Sequence, residues 1–222
     1  VKGLPVLNEK GLAVGMLSES SLPRISGVVT SVAAFTRALR ADGHRVVVVA
    51  PRYPDYRDDD PDVIRLPSIS APGTPEFKMV VPLSARLLGD PRLGRVDVVH
   101  THGPFLTGRL GLVLARHFRR PLAFTHHTLY DEYVHYVPWV PAAVTRPIAR
   151  RWVRAFANRC DLVIAPSGVI RARLRAQGVT ARIEVLPTGG VDLEQFARLG
   201  GQAVRARYDI PPGTSLLVTV SR

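Results

Sequence analysis

Val99-His100-Thr101-His102-Gly103-Pro104-Phe105 is answered further along the chain by Phe124-Thr125-His126-His127-Thr128-Leu129-Tyr130. Each stretch closes a short apolar run, Val96 to Val99 and Leu122 to Phe124, of the kind that forms a buried parallel strand. The segment between them, Leu106 to Phe118, has helical periodicity. The pair therefore reads as strand–helix–strand, with four of the seven histidines at the carboxyl ends of two strands. Open α/β sheets bind their ligands at that edge.

Working outward, the same alternation continues in both directions. Leu12 to Leu17 is a short buried strand, followed by a loop of small and polar residues from Ser18 to Gly27. From Gly27, the positions Val28, Val32, Phe35 and Leu39 keep helical spacing, and Gly43 after Asp42 is a stop. Arg45 to Ala50 is a second strand on its β-branched content, and Val63 to Leu66 a weaker third. Pro51 to Pro61 is a turn-rich loop, Ser68 to Lys78 reads as irregular, and Pro82 to Leu88 as a short helix. Beyond the histidines, Asp161 to Ala165 and Arg182 to Leu186 are strands and Val169 to Gln177 a helix. Val204 to Arg207 is a helical turn, and Leu216 to Val220 is expected to be a final strand. The pattern is that of a parallel, doubly wound α/β sheet.

Composition sets the limits. A chain of 222 residues with 46% apolar content buries one substantial core or two small ones. The net charge of +12, from 30 basic and 18 acidic residues, is carried almost wholly by arginine. Arginine excess suits phosphate or an anionic surface, and a GC-rich genome produces it too. A lone Cys160 excludes an internal disulfide and suits a reducing compartment. No uncharged apolar run reaches the roughly 18 residues of a membrane span. Residues 1–10 lack the apolar core and cleavage site of a signal peptide and read as an extension or remnant.

Three features carry chemistry. Ser26-Gly27-Val28, at a loop-to-helix junction, has the makings of an anion site, since free amides at a helix N-terminus favour phosphate. It is not the glycine triplet of a dinucleotide fingerprint; a simple glycine turn is the alternative. The histidines invite a zinc-hydrolase reading, but the neighbouring strand ends offer Pro51, Asp161 and Pro187 rather than carboxylate ligands, so no metal is expected. A histidine placed to contact substrate or polarise a leaving group fits better, with His100 structural. The third feature is the segment from Tyr133 to Cys160, which contains no acidic residue. On a helix, Val144, Ile148, Ala149, Trp152, Val153, Ala155 and Phe156 share one half and Arg146, Arg150, Arg151 and Arg154 the other. An all-arginine face suits an anionic membrane, at about 1 kcal/mol per basic residue. Nucleic acid is not the expected anion, because neither a recognition motif nor a stacking platform accompanies the helix.

At this point the chain resembles a family: the large retaining glycosyltransferase family 4, of GT-B fold. The resemblance rests on Ser18 to Val28, on Asp97-Val98-Val99-His100-Thr101-His102, on Ala165-Pro166-Ser167, and on Val185 to Asp192. The stretch Thr125 to Tyr136 is similar to the bacterial diacylglycerol glucosyltransferase branch, whose members are peripheral to membranes. The resemblance implies a Rossmann-like N-terminal, acceptor-side domain over residues 11–210. Residues 211–222 would begin the interdomain link and form the first strand of a missing C-terminal donor-binding domain, which in the family carries a Glu-x7-Glu element. It places Gly27 at the donor diphosphate and His127 at the transferred sugar. His102, with Tyr130 and Tyr133, falls in the acceptor cleft. Arg222 matches the arginine of a Gly-Arg step that holds the diphosphate, with Ser221 in place of that glycine, and Gly189-Gly190 stands where many relatives have one glycine. The implied activity is retaining transfer of a hexose from a nucleotide-diphosphate sugar to a hydroxyl acceptor, a membrane lipid such as diacylglycerol. No tightly bound cofactor is implied, the setting is the cytoplasmic face of the cell membrane, and half an enzyme is expected to be inactive alone. A non-catalytic membrane-docking or partner-binding module is the alternative, with a metal-dependent hydrolase behind it.

Overall fold

The computed structural model describes residues 11–71, 74–81, 87–132, 140–188 and 201–219. Its main element is a seven-stranded, all-parallel sheet in the order β3-β2-β1-β6-β7-β8-β9. The strands are β1 (Ala13–Leu17), β2 (Arg45–Pro51), β3 (Val63–Leu66), β6 (Val98–Thr101), β7 (Leu122–Thr125), β8 (Leu162–Ala165) and β9 (Ile183–Val185). The helices that connect them are α1 (Gly27–Ala41), α2 (Pro91–Gly94), α3 (Leu106–His117), α4 (Ala142–Ala157) and α5 (Gly168–Ala176).

Burial on both faces explains the continuous apolar strands. Val46 joins Val14, Met16 and Val32 on one face, where Val28, Phe35 and Leu39 of α1 pack. Val47 and Val49 join Leu17, Leu110, Leu114, Phe124 and Phe156 on the other. Successive side chains of a strand point to opposite faces, so a two-sided sheet has no polar positions to alternate. α1 begins at Ser26, whose hydroxyl accepts from the Val29 amide, and ends where Gly43 takes a positive φ of 81°. The expected spacing and stop of that helix are both observed.

Two expectations fail. Ser68 to Lys78 is not irregular: β4 (Ser68–Ala71) and β5 (Thr74–Val80) form an antiparallel pair with a register shift at Ser70/Ala71. Prolines read as breakers are tolerated on edge strands, and a two-stranded ribbon is all edge. Leu216 to Val220 is not a strand over its described part, residues 216–219, which join no ladder among the described residues. Leu217 is 94% exposed. A strand exists only through its neighbours, and apolar content alone does not supply one. The expected helix at Pro82 to Leu88 lies mostly outside the described residues.

The chain separates into two compact units, Val1–Gly189 and Gly190–Arg222. The described part of the second holds helix α6 (Gln202–Arg207), whose Arg205 donates to the Thr214 carbonyl at 2.9 Å.

Candidate functional site

Strand order locates the site. From β1 the sheet grows one way through β2 and β3 and the other way through β6, β7, β8 and β9, so the topological switch point lies between β1 and β6. Ligands bind outside the carboxyl ends of the strands at such a point. Here β1 runs into the loop carrying Glu19 and Ser26, while β6 runs into His102, whose amide donates to the Leu17 carbonyl at 2.9 Å.

The four histidines divide by burial. His100 is buried, its Nε2 2.7 Å from Thr125 Oγ1. His126 is buried with its ring edge-on to Phe124 and Tyr130. His102 is only 2% exposed and its Nδ1 lies 2.9 Å from His127 Nε2, the two rings stacked 5.2 Å apart. His127 is half-buried, the one of the four with an open side. Burial lowers every one of their pKa values, His100 to about 3 and His126 and His127 to about 4. At neutral pH the cluster is therefore uncharged, and His127 faces the edge as a neutral imidazole.

The N-terminus of α1 has free backbone amides. Ser26 occupies the Val29 amide, but those of Gly27 and Val28 have no acceptor among the described residues. No acidic residue sits in the first turn, so the positive end of the helix dipole is uncompensated. A Cβ added to Gly27 would meet nothing within 4 Å. Packing within the domain therefore gives no reason for glycine at this position. The loop before it is fixed by Arg65, which donates to the Leu22 and Pro51 carbonyls and pairs with Asp58 at 2.7 Å.

Sequence reading missed Glu19. α3 has Phe105 at its N-cap with no side-chain bond and no acid in its first turn. Glu19 serves that end from another loop. Its carboxylate faces the amides of Phe105, Leu106 and Thr107, which favour ionisation, but burial prevails and raises its pKa to about 7. Gly103 makes room for it, since a Cβ there would come within 2.9 Å of the carboxyl carbon. The signal was present in the sequence: a helix starting after Gly103-Pro104-Phe105 lacks any capping residue of its own.

Asp131 was also missed. Its buried carboxylate accepts from Arg150 at 2.7 Å and Arg173 at 2.8 Å, so α4 and α5 are tied to the segment following His127. Burial works against ionisation, but the two guanidinium groups win and hold the Asp131 carboxyl below its usual range. Tyr130 lies edge-on to Phe105 at 5.0 Å, and burial, with the Glu19 charge, pushes its phenol up.

On α4 the projected halves do not map onto inside and outside. Val153, Phe156 and Ala157 are buried, whereas Val144, Ile148 and Trp152 are exposed, at 48%, 59% and 40%. At about 100° per residue those three form a stripe to one side of the buried face. Trp152 Nε1 donates to the Pro104 carbonyl at 3.0 Å, anchoring the end of the stripe to the β6–α3 loop. Arg150 is engaged by Asp131, while Arg146, Arg151 and Arg154 are exposed and make no ion pair among the described residues. Tyr133 and Arg222 lie outside the described residues. Among the described residues no three His, Cys, Asp or Glu side chains converge as a metal would require, and no helix is long and apolar enough to cross a membrane.

Fold and site together define a Rossmann-like domain of the GT-B class. A sucrose-phosphate synthase from Thermosynechococcus elongatus superposes with a TM-score of 0.59 at 21% identity, over 90% of this chain and 53% of that one. Anabaena HepE in complex with UDP-glucose does so at 0.56 and 15%, over 89% and 50%. These likenesses are of fold. Residues 25–195 match the model for Glycosyltransferase Family 4, and the chain belongs to that family. It is 29% identical over 95% of its length to an alpha-monoglucosyldiacylglycerol synthase of Streptococcus pneumoniae, and 33% over 83% to that of Acholeplasma laidlawii. It is 32% identical over 96% to a GDP-mannose-dependent alpha-mannosyltransferase of Mycobacterium tuberculosis. The chain spans about half the length of these relatives, 49%, 48% and 56%.

Proposed function

We propose that the protein transfers a hexose, with retention, from a nucleotide-diphosphate sugar to a lipid hydroxyl such as that of diacylglycerol, and that residues 11–210 form its acceptor side. The observation that carries this reading is a neutral, half-open His127 at the same sheet edge as the unoccupied amides of Gly27 and Val28. The relatives support it: their names specify glucosyl transfer to diacylglycerol and use of GDP-mannose, and a protein of the same fold holds UDP-glucose.

In this reading the amides of Gly27 and Val28 donate to the diphosphate oxygens as negative charge develops on them. Dipoles already aimed at the leaving group need no reorganisation during the reaction. Arg222 and cations of a second domain complete the phosphate contacts. His127, neutral at pH 7, hydrogen-bonds the transferred sugar without adding a charge that would oppose an oxocarbenium-like centre. Glu19 is engaged at the N-terminus of α3 and Asp131 by two arginines, so neither is a free nucleophile. Attack from the leaving-group face, with the diphosphate taking the acceptor proton, is the route this reading takes. Tyr130 is the described residue assigned to the acceptor cleft, with Tyr133 assigned by the family resemblance alone, while His102, only 2% exposed, bonds to His127 instead of facing the acceptor. The exposed stripe of α4, flanked by Arg151, faces the anionic inner surface of the cell membrane, which delivers the acceptor, and Arg146 and Arg154 add to the positive charge of the helix.

His127→Ala in the full-length enzyme is expected to lower kcat by about 100-fold or more with the melting temperature unchanged. Near-normal turnover would remove His127 from this role.

A further inference from the structure

We infer that His102 is a positioning residue for His127, fixing through one imidazole–imidazole hydrogen bond which ring nitrogen of His127 carries the proton. His102 Nδ1 and His127 Nε2 are 2.9 Å apart and the rings lie within 21° of parallel. His102 cannot swing away. Its amide is tied to the Leu17 carbonyl, and its ring lies 4.2 Å from that of His100 and 6.0 Å from that of Phe35. His100 is itself held by Thr125. The immobile ring therefore dictates to the half-open one.

The direction of the bond follows from the far nitrogen. His102 Nε2 is buried and has no hydrogen-bond partner among the described residues. A neutral imidazole carries one proton. If His127 donated, the His102 proton would sit on Nε2 as a buried donor with nothing to accept it. An orphaned N–H is the rarer defect in folded proteins. The proton of His102 therefore sits on Nδ1 and is given to His127 Nε2, and His127 carries its own proton on Nδ1. The tautomer of a histidine is set by the bond its other nitrogen makes. His127 is thus held as a donor through Nδ1, the polarity suited to a sugar hydroxyl or phosphate oxygen. This assignment rests on the proposed function only in naming what His127 meets.

The test has a spectroscopic arm and a kinetic arm, both on the full-length protein. A long-range proton–nitrogen correlation spectrum of histidine-labelled protein reads each tautomer directly. The wild type is expected to show His127 protonated at Nδ1 and His102 at Nδ1. His102→Phe and His102→Gln should convert His127 to a mixture of tautomers. His102→Asn, whose amide falls near the Nδ1 position, should restore a single form. In turnover, His102→Phe and His102→Gln are expected to lose roughly tenfold or more in kcat with little change in KM for the nucleotide sugar, and His102→Asn to recover most of that loss. A His127 proton on Nε2 in the wild type would overturn the inference, as would a tautomer indifferent to all three substitutions. So would equal kcat in the Asn, Gln and Phe variants at matched melting temperatures. If the spectra follow expectation and the protein lacks glycosyl transfer, the proposed function fails and the histidine pair stands.

Discussion

At the scale of single residues, glycines separate a ligand site from a packing site. Gly27 has open space where its Cβ would be, whereas a Cβ on Gly111 would run into Thr101 Cγ2. Gly27→Ala should leave the melting temperature unchanged or raise it, since alanine gains up to about 1 kcal/mol over glycine in a helix. It should nevertheless raise KM for the nucleotide sugar by blocking the approach of the diphosphate. Gly111→Ala should do the reverse, costing about 1–3 kcal/mol through overpacking with donor KM little changed in the folded fraction. Thermal melting beside steady-state kinetics checks both; a Gly27→Ala enzyme with normal KM would contradict the phosphate role.

At the scale of elements, α4 carries the membrane reading. Its arginines are not one surface: Arg150 is bound to Asp131, Arg146 lies across the helix from the exposed apolar stripe of Val144, Ile148 and Trp152, and Arg151 flanks that stripe at about 60°; Arg146, Arg151 and Arg154 make no ion pair among the described residues. In this reading the stripe inserts and the arginines around it add attraction to anionic lipid. The full-length protein should sediment with phosphatidylglycerol-containing vesicles and release as salt rises through the Debye screening range. Ile148→Glu should weaken sedimentation several-fold at every salt concentration without loss of fold. Equal binding by wild type and Ile148→Glu would overturn the membrane reading of α4.

At the scale of the whole molecule, buried titratable groups set the stability profile against pH. The four histidines stay neutral in the fold while the unfolded chain protonates near pH 6.5. The stability they support is full above 6.5 and is lost as pH falls toward 4, at about 1.4 kcal/mol per pH unit for each. Glu19 acts in the opposite sense, because its pKa is raised from 4.5 to about 7. Its contribution is full below 4.5 and lost as pH rises through 7. The histidines outnumber it, so the melting temperature should climb from pH 4 to 6.5 and then decline slightly. Glu19→Gln should abolish the decline and keep the climb. A flat profile between pH 4.5 and 6.5 would show that the histidines are not buried neutral.

The sequence by itself determined the alternation of strands and helices, the boundaries of α1 and α3 and the parallel character of the sheet, while the choice of His127 came from the family resemblance. The former follow from local physics: apolar period, β-branched content and a glycine stop act within a few residues of where they stand. Only the tertiary structure decided the strand order that puts the switch point between β1 and β6, the β4–β5 pair, and the absence of a ladder partner for residues 216–219 among the described residues. The same is true of Glu19 at the end of α3, Asp131 between Arg150 and Arg173, and the bond that joins His102 to His127. Each of these is a pairing between positions far apart in the chain. No periodicity encodes a partner, so such contacts exist only once the sheet has brought distant loops to one edge.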